Sequence, residues 1–161
     1  MHLEALGFLG RFSQENIELI CPLSYGVKQK AYFQKVMKTG SAIFGDRFKP
    51  LTGFLEPEKY TDFLNNIDIA VMNHNRQEAL GNVISLLYLG KKVYLKPGTS
   101  SYEYFDQLKV KIFNINNIEK QTFEEFSALD HSALKQNAVI LKKELSFAHY
   151  KEWWKEIINL A

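Results

Sequence analysis

Asp68-Ile69-Ala70-Val71-Met72-Asn73-His74-Asn75-Arg76-Gln77 runs from a short apolar, β-branched segment straight into five consecutive polar side chains. The first half reads as a buried strand, residues 68–72. Apolar residues then recur at helical spacing over residues 75–89, with Arg76, Leu80, Val83 and Leu87 on one side, and Gly90 stops the pattern. A strand, a polar turn and a helix in that order form half of a parallel crossover unit. Outward from this unit the same alternation continues. Before it lie an opening helix on Leu3, Leu6, Phe8, Leu9 and Phe12, a strand at 17–21 stopped by Pro22, and a helix at 27–38 ending at Gly40. A strand at 41–44, a loop through Pro50 and Gly53, and a helix at 56–66 follow. After it come strands at 92–95 and 110–113 around a helix at 100–108. Helices at 132–145 and 147–160 complete the reading. Strict alternation with nearly continuous apolar strands predicts an α/β domain with a parallel sheet covered on both faces, of doubly wound type.

With 161 residues, the chain is expected to form a single domain over 1–161, residues 123–161 being a helical tail. Hydrophobic residues make up 46%, ample for a core, and the net charge of only +2 argues against a broad nucleic-acid surface. Cys21, the single cysteine, cannot form an internal disulfide and fits a reducing compartment. The sequence holds no spanning apolar stretch and no secretory signal, so a soluble, cytoplasmic protein is expected. Doubly wound domains normally open on a central strand, whereas this reading opens on a helix. The expectation is that a first strand and its phosphate loop lie upstream of Met1.

In open parallel sheets, ligands bind outside the carboxyl ends of the strands. Three such ends carry unusual residues: Pro22-Leu23-Ser24-Tyr25-Gly26, Gly45-Asp46-Arg47 and the run from Asn73 to Gln77. The last is the richest, because it places polar side chains at a helix N-terminus, where unpaired N–H groups and the helix dipole favour an anion. Arg76 in a first helical turn would overhang the crevice and grip a phosphate with two donors. Each member also has a plainer reading. Asn73 or Asn75 can serve only as an N-cap, His74 as a structural histidine, and Gly81 as a site of helix–strand packing or of close approach by a ligand. Cys21 reads as buried filler. No metal-like spacing links His2, His74, His131 and His149, and no Gly-rich nucleotide motif is present. Phe147, Tyr150, Trp154, Ile157 and Ile158 share one face of the last helix, as core, as a domain interface or as a membrane-surface stripe.

Taken together, Asn73 to Gln77, Gly81-Asn82 and Leu89-Gly90-Lys91-Lys92-Val93-Tyr94 resemble the TDP-N-acetylfucosamine:lipid II N-acetylfucosaminyltransferases, also called 4-alpha-L-fucosyltransferases. Ile20-Cys21-Pro22-Leu23-Ser24-Tyr25-Gly26 and Ile43-Phe44-Gly45 are similar to that family too, and the likeness extends over residues 2–118. The resemblance implies a B-type glycosyltransferase of two facing Rossmann-like domains, this chain being the second, donor-nucleotide domain. Enzymes of the family transfer 4-acetamido-4,6-dideoxygalactose from TDP to an undecaprenyl-linked disaccharide in the assembly of enterobacterial common antigen. They are inverting enzymes of the cytoplasmic membrane face and need no tightly bound metal or other cofactor.

The resemblance assigns donor contacts to Ser24, Tyr25, Gly45, Asn73, Arg76, Gln77, Gly81 and Asn82. Arg76 and the helix N-terminus would stabilise the departing diphosphate in place of a metal ion. Gln77 and Asn82 would meet sugar hydroxyls or phosphate oxygens, and Tyr25 with Gly45 the base and ribose. His74 is the candidate general base, although in two-domain enzymes that group commonly comes from the acceptor domain. The expected partners are the nucleotide-sugar donor, the lipid-linked acceptor and an N-terminal acceptor domain, without nucleic acid. Alone, the chain is expected to bind donor without turnover, and an incomplete sheet would promote self-association through its edge. The rival readings are a non-catalytic flavodoxin-like nucleotide module and a B-type transferase for another sugar nucleotide. A receiver-like module would need clustered acids at strand ends, where Pro22, Gly45 and His74 stand instead.

Overall fold

The computed structural model describes residues 1–24 and 30–159. In chain order its elements begin with α1 (His2–Gly10), β1 (Leu19–Pro22), α2 (Lys30–Phe44), β2 (Phe48–Leu51), α3 (Pro57–Asn65) and β3 (Ile69–Met72). They continue with α4 (Leu80–Tyr88), β4 (Lys92–Leu95), α5 (Ser100–Gln107), β5 (Phe113–Asn114), α6 (Phe123–Ser127), α7 (His131–Glu144) and α8 (Phe147–Asn159). The chain divides into two compact units, Met1–Phe63 with Asn116–Ala128, and Leu64–Ile115 with the chain from Leu129 onward. Among the described residues this is a mixed α/β fold of eight helices and parallel strands in sheets of two and three, consistent with a Rossmann-like arrangement.

In the first unit, β1 and β2 pair in parallel from Leu19 against Phe48 to Pro22 against Leu51. Leu6, Leu9 and Phe12 are buried, and the Phe12 ring stacks on Phe126 at 4.9 Å. A reciprocal cap between Thr122 and Glu125 fixes the start of α6 and so the position of that ring. Two expectations fail here. Residues 41–44 are not a strand; α2 runs through them, and Val36, Gly40 and Phe44 are buried four residues apart on one helix face. Gly40 is therefore no stop. It admits the Phe48 ring, which a Cβ at that position would meet at 2.4 Å. The stop is Gly45, whose φ of +55° lies in the left-handed region glycine tolerates. The strand itself is β2, in the stretch read as a loop. Pro50 is tolerated there because β2 has β1 as its one sheet partner among the described residues. The helix start expected at residue 27 lies outside the described residues.

The second unit is built on β3, β4 and β5, all parallel, with β4 in the middle. All four residues of β4 are buried, as a strand covered on both faces requires. On α4, Val83, Leu86 and Leu87 are buried, and α4 packs against α7, which buries Leu134 and Leu141. Each of these fully buried aliphatic side chains contributes roughly 1.5–3 kcal/mol relative to exposure. The strand expected at 110–113 begins only at Phe113. Its first part is claimed by a side chain: Asn137 of α7, 1% exposed, accepts from the Lys111 N–H at 2.7 Å and donates to the Lys111 carbonyl at 3.0 Å. The helix expected at 75–89 begins five residues later, at Leu80. Among the described residues, no helix is long and apolar enough to cross a membrane.

Candidate functional site

The late start of α4 makes the site. Ala79, at φ 52° and ψ 33°, sits in the left-handed region and breaks the helical path, leaving residues 73–79 as a loop after β3. Three interactions hold that loop. The His74 ring bonds to the Glu78 backbone carbonyl. Arg76 Nε donates to Glu78 Oε1 at 2.6 Å, and Lys96 Nζ, from the end of β4, donates to Asn75 Oδ1 at 2.7 Å. Arg76 is thus not in a first helical turn. It stands in the loop with its side chain 83% exposed. Ala79 offers no side-chain acceptor, so the N-terminus of α4 has no side-chain cap.

At the carboxyl ends of β3 and β4 lies a small solvent-open cleft of about 230 Å³. Met72, Val83 and Leu95 form its apolar part, and His74, Arg76, Glu78, Lys96, Thr99 and Ser101 its polar part. Thr99 caps α5, accepting from the Tyr102 N–H at 3.3 Å while its hydroxyl donates to the Lys96 carbonyl at 2.8 Å. The two cations face one carboxylate, and therefore the cleft favours an anion. Burial lowers the pKa of His74, the Glu78 charge opposing that effect, so the imidazole is neutral near pH 7. The hydrogen bond from Arg76 holds the Glu78 carboxyl below its ordinary range, making it a weak base.

Of the residues singled out by sequence, His74 and Arg76 line the cleft. Asn73 is buried at 5% exposure just before them. Gln77 and Gly81 are exposed and Asn82 is half-buried, all outside the lining, and nothing lies within 4 Å of where a Gly81 Cβ would stand. Gly81 therefore does not reflect tight helix–strand packing. Ser24 follows β1, and Gly45 closes α2; both belong to the first unit. Arg47, beside Gly45, donates to the carbonyls of Ser13 and Glu15 and has a structural task. Tyr25 lies outside the described residues. Lys96, Thr99 and Ser101 went unnoticed, and Glu78, expected on a polar helical stripe with Asn82 and Ser85, lines the cleft without them. The rule about strand ends, applied to β4 as it was to β3, points to Lys96-Pro97-Gly98-Thr99. Among the described residues, no three His, Cys, Asp or Glu side chains gather to hold a metal ion.

No solved structure matches the chain. A family model described as 4-alpha-L-fucosyltransferase glycosyl transferase group 56 matches residues 1–161, its whole length. An α/β fold with an anion-favouring cleft at its strand ends and a match over every residue lead to one conclusion: the chain belongs to the glycosyltransferases of group 56.

Proposed function

We propose that the cleft after β3 and β4 receives the diphosphate of a nucleotide-sugar donor, in transfer of 4-acetamido-4,6-dideoxygalactose from TDP to an undecaprenyl-linked saccharide. The observation that carries this reading is the placement of two cations, Arg76 and Lys96, on one open cleft at two strand ends. As the bond to the sugar breaks, negative charge grows on the leaving diphosphate, and the two cations stabilise it. The cleft is shallow and open to solvent, so the diphosphate would lie against its cations while base and sugar extend beyond. His74, neutral near pH 7, is suited to accept the proton of the acceptor hydroxyl. Calorimetric titration with TDP, UDP and GDP tests the reading. Preference for TDP is expected; binding of none of the three would favour a non-nucleotide module, and a preference for UDP or GDP a transferase with another donor.

The same reading puts the chain at a membrane surface, where a lipid-linked acceptor resides. Its support is α8, on which Phe147, Tyr150, Trp153, Trp154, Ile157 and Ile158 are all exposed along one face. Aromatic residues of this kind favour the headgroup region, and Lys151 borders the stripe, while Lys155 is paired with Glu152 at 2.8 Å. Sedimentation with phospholipid vesicles should carry the chain down, and Trp153→Ala with Trp154→Ala should leave it in the supernatant.

A further inference from the structure

We infer that Glu78 is an intramolecular stand-in for the donor's phosphate, a specificity-determining residue whose carboxylate the incoming diphosphate must displace from Arg76. The inference rests on the reading of the cleft as a diphosphate site. Among the described residues, Glu78 contributes the one carboxylate of the cleft lining, against the two cations Arg76 and Lys96. Its Oε1 accepts from Arg76 Nε at 2.6 Å, a charge-assisted bond of the kind a phosphate oxygen would make with the same donor. Both side chains line the cleft and are open to solvent, the guanidinium at 83% exposure more than the carboxylate at 31%, so the pair is within reach of an incoming anion.

The two ends of residue 78 do different work. Its backbone carbonyl accepts from the His74 ring and anchors the loop. The carboxylate hangs on rotatable bonds and can leave without moving that anchor. A ligand carrying one negative charge gains little by replacing a carboxylate on Arg76. A diphosphate, with more charge and more acceptors, gains more. Glu78 thereby competes with every anion for Nε of Arg76 and biases the site toward the most highly charged, which alone gain enough to take all of the guanidinium's donors.

The test is calorimetric titration of the full chain with TDP, comparing the natural sequence with Glu78→Gln, Arg76→Ala and the double variant, circular dichroism checking the fold. Glu78→Gln should tighten binding by roughly two- to fivefold, the range expected from releasing an exposed ion pair. Glu78→Ala serves as a second removal of the charge. In the Arg76→Ala background the gain should vanish. Unchanged or weaker binding by both Glu78 variants, with Arg76→Ala still weaker than the natural sequence, would overturn the inference and leave the diphosphate site standing. An equal gain with and without Arg76 would also overturn it, since the effect would then be general repulsion. No binding by any of the chains would remove the diphosphate reading itself, and this inference with it.

Discussion

At His74 two influences oppose each other: burial favours the neutral ring and the Glu78 charge favours the protonated one, with burial the larger. The unfolded chain takes up this proton near the ordinary value of 6.5, the folded chain at a lower pH. Between those two values the unfolded state binds more protons, so stability falls as pH drops through that window and is recovered above it. His74→Gln should flatten that slope in urea midpoints taken from about pH 7.5 to about pH 5.5. Glu78, held below its ordinary 4.5, loses its contribution only in a more acid range and does not obscure the test. Arg76→Ala should weaken TDP binding by about 1.5 kcal/mol, the lower end for hydrogen bonds to charged groups, because the guanidinium is so exposed. Calorimetry reads this directly, and affinity unchanged in a folded variant would take Arg76 out of the site. His74 and Arg76 were legible from their place after a strand. That Glu78 lines the same cleft was not, because helical spacing set it on a polar stripe with Asn82 and Ser85 and the loop before α4 breaks that spacing.

Among the elements, glycine decides where sequence reading succeeds. Gly90 stops α4 as expected, with a φ of +70° that only glycine adopts cheaply. Gly40 looked equally good as a stop, yet it serves contact with the Phe48 ring. Nothing local distinguishes the two; the partner ring arrives from eight residues further on. Gly40→Ala gains helix propensity of about 1 kcal/mol but must push that ring aside, and a net loss of about 1–2 kcal/mol is expected in denaturant unfolding. Gly81→Ala meets open space and should leave stability unchanged or slightly raised. Should TDP binding fall in this variant while stability holds, the backbone at the head of α4 touches the ligand. The start of α4 escaped the sequence because apolar spacing from Leu80 extrapolates smoothly back to Arg76, and only the left-handed Ala79 interrupts it.

For the molecule as a whole, alternation of strand and helix was enough to give parallel pairing, because a helix returning the chain across a sheet permits little else. The division into two sheets was not legible, since pairing partners are set by contacts far apart in sequence. The cleft residues all fall between Met72 and Ser101, which invites the thought that this segment could be lifted out and used alone. The Asn137 side chain forbids it. By bonding both main-chain groups of Lys111, it acts as a surrogate strand and seals the approach to β5 from a helix twenty-six residues away. A chain shortened before α7 would keep every side chain that lines the cleft and lose the clasp beside β5, so the sheet that carries the cleft leans on a segment outside its lining.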